Sequence, residues 1–271
     1  MTVVLLGAAV ALFLTMNSMF VVGMRAKDNS LIDIVYGPAF VLACLGGWLA
    51  GGMETHFRPL VMFCLLILWA ARLGLHIGLR HRGRGEDFRY MAFREAWGET
   101  FVWRSFLQIY MLQGLVVFLV AAPVLLAMAR PGGGLVWTDV LGAGLFALGF
   151  LFEAVGDWQL ARFRKDPANR GQLMTTGLWR YTRHPNYFGE AVLWWGFFFL
   201  GLGSEYGLYG LVSPLLIGFL LLKVSGIPML EEKYKGRPDF EAYKRATSPF
   251  FPLPPRTLQR SGRDGDETES A

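Results

Sequence analysis

Seven apolar runs of about bilayer length leave this chain few ways to fold. A membrane's hydrocarbon core takes about 20 apolar residues per helix, and runs near that length lie at roughly 3–24, 31–51, 59–79, 106–129, 136–155, 187–203 and 208–229. Within lipid every backbone N–H and C=O must find a partner inside the segment, which runs this long achieve as helices. The expected fold is all-α integral membrane, a bundle of about seven transmembrane helices forming one domain over residues 1–255. Residues 256–271 are polar and glycine-containing, which predicts a disordered tail. The first run is too long, and lacks the small-residue cleavage site, for a removable signal peptide.

Basic residues test the topology. Arg25 and Lys27 follow run one, six arginines from Arg80 to Arg104 follow run three, and six Lys/Arg from Arg162 to Arg183 follow run five. The alternate loops hold Arg58, Arg130 and none. The positive-inside rule then predicts an outside N-terminus and a cytoplasmic C-terminus. The net charge of +5 comes from these loops. No basic helix carries interleaved aromatics, so no nucleic-acid partner is expected. Cys44 and Cys64 lie inside apolar runs and read as packed thiols.

Polarity concentrates at residues 177–190, Gly-Leu-Trp-Arg-Tyr-Thr-Arg-His-Pro-Asn-Tyr-Phe-Gly-Glu. His184-Pro185 predicts a bend, with a helix starting just after it. A helix start offers free N–H groups and a positive dipole end to an anion, and Arg180 and Arg183 add charged donors. The expected occupant is an anionic cofactor, with Tyr181, His184 and Tyr187 beside it.

Other polar residues interrupt the spans. Arg72 and His76, at i and i+4, share a face of the third, and a buried arginine needs a partner; Asp33 and Glu153 are the candidates. Asp33 reads equally as a helix-start acid near the interface, with Tyr36 one turn on. His76 alone reads as a hydrogen-bonded core residue or a participant. Glu153 and Asp157 pair at i and i+4 at the end of run five. They lack a His or Cys cluster at ligand spacing, so no metal is expected. Lys223 either snorkels to the surface or reaches the anionic site. No Gly-x-Gly-x-x-Gly element and no phosphate loop occurs, so any nucleotide must be held by the ends of membrane helices.

Residues 177–190, with Asp157 and Arg164 before them, resemble the steroid 5-alpha-reductase family, closest to its bacterial branch. The resemblance covers most of the chain and is strongest from Glu153 to Phe251. It implies NADPH at the cytoplasmic side of the bundle and reduction of an activated C=C bond in a steroid-like or other hydrophobic lipid. It further implies a multi-pass protein of the bacterial inner membrane, with the bilayer and the lipid substrate as partners. Asn186 and Glu190 match the family's Asn-x-x-Gly-Glu element at the nicotinamide end. Asp157 and Arg164 match its acidic and basic residues at the adenosine side, and Glu153 stands where the family can carry asparagine. His81-Arg82-Gly83-Arg84 resembles its Asn-Arg-Gly-Arg element, with Arg84 at a phosphate-binding arginine. The family's substrate-holding glutamate and tyrosine are not matched: gap-free counting brings Tyr36 and Ala70 to those places. Asp33, Tyr36, Arg72 and His76 are therefore the catalytic candidates for binding the acceptor and delivering a proton.

A second resemblance stands beside the first. Arg-His-Pro-x-Tyr-x-Gly, followed by Glu231-Glu232 and then Tyr, is similar to isoprenylcysteine carboxyl and phospholipid methyltransferases, which implies S-adenosylmethionine instead. Asn186, where those enzymes usually carry an apolar residue, and the match of Asp157 and Arg164 favour the reductase reading.

Overall fold

The computed structural model describes residues 1–83 and 85–256. The chain runs through α1 (Thr2–Ala26), α2 (Leu31–Ala50), α3 (Phe57–His81), α4 (Phe88–Trp97), α5 (Phe101–Arg104), α6 (Leu112–Val120), α7 (Ala122–Ala129), α8 (Trp137–Lys165), α9 (Pro185–Gly201), α10 (Val212–Phe219), α11 (Ile227–Glu232) and α12 (Pro238–Ala246). A π-helical turn, Ser105–Met111, joins α5 to α6. Among the described residues no strand forms; the one β-type pairing is an isolated bridge between Thr182 and Ser248.

Six helical stretches among the described residues are long and apolar enough to cross a membrane: Thr2–Ala26, Leu31–Ala50, Phe57–His81, Phe88–Val120, Trp137–Lys165 and Gly207–Glu232. The chain is a multi-pass helical membrane protein. Its surface agrees, since Leu6, Phe13, Val140 and Leu208 stand exposed around the bundle, and lipid is the solvent that accepts such a surface. The sixth expected span, α9, has 17 residues, about 25 Å at 1.5 Å per residue. It falls short of the bilayer core yet is well enclosed, with Leu193, Trp194 and Phe197 fully buried.

Three boundaries differ from the sequence expectation. The fourth apolar run breaks at Ala121, between α6 and α7. α8 continues ten residues past the expected end at 155, because its last turns swap apolar residues for Gln, Arg and Lys without losing helix propensity. The last run stops at Val224; Ser225 and Gly226 turn the chain before α11 begins. Glu231 and Glu232, at the end of the Gly207–Glu232 stretch, lie past its apolar run.

α8 and α9 approach backbone to backbone. Glycines recur every seven residues on each, at 142, 149 and 156 and at 189 and 196. A Cβ on Gly149 would lie 2.5 Å from the Gly189 carbonyl oxygen, and one on Gly142 would lie 2.7 Å from that of Gly196. Without side chains on the seam, dispersion contacts between backbones replace the hydrophobic drive that lipid does not supply. Gly144, off this register, faces open space.

An aromatic core then fills the bundle where α2, α3 and α9 meet. Phe40 stands edge-on to Trp69 at 5.3 Å and Trp69 edge-on to Trp194 at 5.2 Å, the arrangement that ring quadrupoles favour. Below, "basic rim" means the end reached by the C-termini of α3 and α8, and "far rim" the end where both helices begin.

Candidate functional site

Three helices bring the polar residues of their spans together, about two to three turns inside the basic rim. Arg72 on α3 donates from Nη1 to Asp157 Oδ2 at 2.8 Å and from Nη2 to Glu153 Oε1. Trp69, one turn deeper, donates from Nε1 to Glu153 Oε2 at 3.2 Å. From α9, Asn186 donates its amide to Asp157 Oδ1 at 3.1 Å. His76 completes the group, with Nε2 at 3.8 Å from Asp157 Oδ2. Of the two candidate partners for Arg72, the fold selects Glu153 and adds Asp157. Helical spacing explains this, because Glu153 and Asp157 present one face of α8 and Arg72 lies opposite on α3.

The cluster is incompletely satisfied. Arg72 Nε is buried without a partner among the described residues, and the Glu190 carboxylate, one turn along α9 from Asn186, makes no hydrogen bond among them. Gly189, beside it, packs on the α8 backbone: a Cβ there would lie 2.6 Å from the Glu153 nitrogen. On α2 the Tyr36 hydroxyl likewise makes no hydrogen bond among the described residues, and its ring packs edge-on to Phe40 at 5.2 Å. Three carboxylates and one guanidinium therefore share the deep end, while Arg80, Arg164 and Arg180 stand exposed toward the rim.

Several expected residues lie elsewhere. Asp33 does not meet Arg72 or His76: it accepts from Arg89 Nη2 at 2.7 Å and from the Tyr90 hydroxyl at 2.7 Å. It sits in the first turn of α2 at the basic rim, where α4 lies alongside, whereas Arg72 is more than two turns deeper on α3. His81 is turned away to Asp28, at 2.9 Å. Arg84 lies outside the described residues. Lys223 is exposed in the π-helical turn Leu220–Val224, and Tyr181 is exposed at the surface.

The start of α9 is not an open anion site. Arg183, His184 and Pro185 are all buried. A Cβ on Gly156 would lie 3.3 Å from the Asn186 nitrogen, so α8 covers that N–H, and Asn186 Oδ1 takes the Tyr187 N–H at 3.1 Å. Arg183 spends its donors within the protein, on Glu231 Oε1 at 2.8 Å, Thr247 O at 2.5 Å and Lys244 O at 3.3 Å. His184 Nε2 lies 3.1 Å from the same Glu231 oxygen and stacks on Tyr187. Burial alone would raise the Glu231 carboxyl, but the bonds from His184 and Arg183 outweigh it and hold it at about 2. These residues tie the C-terminal α11–α12 segment to the bundle, with Thr182 Oγ1 donating to Phe250 O at 2.8 Å as a further fastening.

Sequence reasoning missed a second buried ion pair. Arg58 and Asp139, in the first turns of α3 and α8, pair at 2.9 and 3.0 Å at the far rim. Arg58 also donates to the carbonyls of Pro131, Gly133, Gly134 and Gly203. The available signal was a lone arginine and a lone aspartate at the same end of two long helices.

Residues 19–247 match a protein family described as "Protein of unknown function (DUF1295)". The uncharacterized protein C594.04c of Schizosaccharomyces pombe is 26% identical over 273 residues, spanning 89% of this chain and 77% of that protein. No solved structure matches.

Proposed function

We propose, from the premise that this chain belongs to the DUF1295 family, that it is a membrane reductase using NADPH on an activated C=C bond of a hydrophobic lipid, steroid-like or otherwise. The observation that carries this reading is the depth order of charge on α3, α8 and α9. Carboxylates and the Asn186 amide sit two to three turns inside the rim, and arginines without acidic partners among the described residues sit at it. A dinucleotide has the matching polarity: pyrophosphate and adenosine phosphate at one end, a ring that becomes cationic on oxidation at the other. S-adenosylmethionine would suit the deep carboxylates, but it has no phosphate for Arg80, Arg164 and Arg180. The residues that prompted the methyltransferase reading, Arg183, His184 and Glu231, are spent on each other.

On this reading NADPH supplies the hydride, and the chain supplies binding, orientation and a dry chamber. Arg164 and Arg180 hold phosphates. Asp157, expected at the adenosine side, accepts from the Asn186 amide and with it fixes the ring end, its orientation set by Arg72. The buried Arg72 Nε is a spare donor at that end. Tyr36 has an O–H without a partner among the described residues and stands edge-on to Phe40 of the aromatic core. The Tyr36 hydroxyl donates to the acceptor carbonyl, and Glu190, one turn from Asn186, serves the nicotinamide end. The apolar helix faces around them keep water from the reacting carbon.

Titrating the purified full chain in detergent with NADPH and with S-adenosylmethionine tests the reading. Saturable binding of NADPH and none of S-adenosylmethionine is expected; the reverse pattern would refute it.

A further inference from the structure

After α12 the chain turns at Thr247 and runs as a non-helical strap, 248–255, back along the residues that lead into α9. Ser248 O accepts the Arg183 N–H at 2.9 Å, Phe250 O accepts the Thr182 hydroxyl at 2.8 Å, and Tyr181 O accepts the Leu253 N–H at 3.0 Å. Phe250 is buried, whereas Phe251 and Leu253 stand 63% and 54% exposed. What surrounds those two side chains follows from their depth. Phe251 packs edge-on against Phe188 of α9 at 6.2 Å, and Phe188 edge-on against Phe152 of α8 at 5.1 Å. Phe152 lies in the apolar part of α8, ten residues before Arg162, which is exposed and lies against Trp158. Ten residues of helix span about 15 Å, more than the two ring steps together can cover. Phe251 therefore stays on the bilayer side of the level that Arg162 marks. Along the outer face of α8, Leu148 and Leu151 stand exposed, and then Trp158 nearer the basic rim, the order of hydrocarbon followed by interface.

The strap's backbone fits the same surroundings. A backbone N–H facing lipid needs a partner within the protein. Pro249, Pro252, Pro254 and Pro255 carry no N–H at all, and Leu253 spends its own on Tyr181. Tyr181, exposed beside Leu253, is an amphipathic ring of the kind that sits at headgroup level. Arg256, also exposed, ends the strap with a guanidinium that matches a lipid phosphate. We infer that residues 248–255 dip into the phospholipid leaflet at the basic rim, with Phe251 and Leu253 among acyl chains and Arg162 and Arg256 at headgroup phosphates. Two exposed side chains offer far less area than the roughly 800 Å² per partner of a stable protein interface, so lipid and not a second copy of the chain covers them. Such an anchor holds whether or not the chain is a reductase.

The test places the full chain in vesicles of phosphatidylcholine and phosphatidylglycerol, in a Cys64→Ser background that leaves only the buried Cys44. Phe251→Cys, Leu253→Cys, Leu151→Cys and Lys235→Cys each take a nitroxide label. Its collisions with oxygen, which collects among acyl chains, are compared with those of a water-soluble nickel chelate. Leu151 marks the lipid-facing surface, and Lys235, with a side chain 73% exposed, marks the water-facing one. Labels at 251 and 253 should give an oxygen-to-chelate ratio close to that at 151 and well above that at 235. The two positions report separately, so if one variant fails to fold the other decides. A ratio equal to that at 235 puts the strap in water and overturns the inference. Protection from both colliders means that protein, such as a second copy of the chain, covers the strap, and overturns it equally. Arg256→Glu should shift the label at 253 toward the chelate; an unchanged ratio removes Arg256 from the headgroups.

Discussion

Two buried ion-pair centres on the same two helices, α3 and α8, have opposite characters. At the far rim Arg58 meets Asp139 with every guanidinium nitrogen engaged, on two carboxylate oxygens and four carbonyls. Nothing in that centre is left over to bind a ligand. Toward the basic rim Arg72 meets Glu153 and Asp157 with Nε unpartnered, Glu190 unbonded, and His76 loosely attached at 3.8 Å. Buried polar groups ordinarily find partners, so a closed centre holds a fold and an open one awaits a ligand. The difference can be broken or sharpened by substitution.

Breaking the closed centre should have the largest effect. Arg58→Ala strands Asp139 and four carbonyls, so a loss of about 3–5 kcal/mol is expected, read as a fall in melting temperature in detergent. NADPH affinity of whatever remains folded should be unchanged; a stable Arg58→Ala protein would remove the contrast. At the open centre the order reverses. Asn186→Ala should weaken NADPH binding about 10-fold, the loss of one well-placed hydrogen bond to a ligand. Its stability cost should stay within about 1 kcal/mol, and normal NADPH affinity in this variant would count against the ring-end assignment.

Asp33→Asn sharpens the boundary of the site. It weakens the bonds from Arg89 and Tyr90 and should cost about 1 kcal/mol of stability while leaving NADPH affinity within twofold. A large drop in affinity would return Asp33 to the site. The smallest effect concerns the C-terminal segment. The Glu231 carboxyl is depressed to about 2 by His184 and Arg183. A depressed carboxyl contributes stability above its unfolded value of about 4.3 and loses it as pH falls toward 2. Limited proteolysis between α11 and α12 should therefore accelerate across that window, and Glu231→Gln should flatten the pH dependence.

The sequence revealed one of the two centres. Arg72 inside an apolar run had to have a partner, Glu153 and Asp157 at i and i+4 supplied one face, and the fold joined them. The apolar runs likewise announced the spans, although α9 is too short to stand alone and is carried by its neighbours. Asp33 was misplaced because its partners come from α4, a short helix mixing Phe and Met with Arg and Glu, whose position along the rim no periodicity encodes. Arg183 and His184 looked like anion ligands because their acceptor, Glu231, lies 48 and 47 positions away. Spacing along a helix predicts rungs on one face; it does not predict which loop folds back to use them. The glycines at 142 and 149 do not name their own partners, and only their opposition to 196 and 189 shows that the seam lies within the chain.

A structure of the full chain with NADPH added tests the central claim most directly. The account predicts ligand density between α3 and α8, with the ring end touching Asn186 and the phosphates reaching Arg164. Density confined to the far rim beside Arg58, or a site between the helices that stays empty at saturating NADPH, would contradict it.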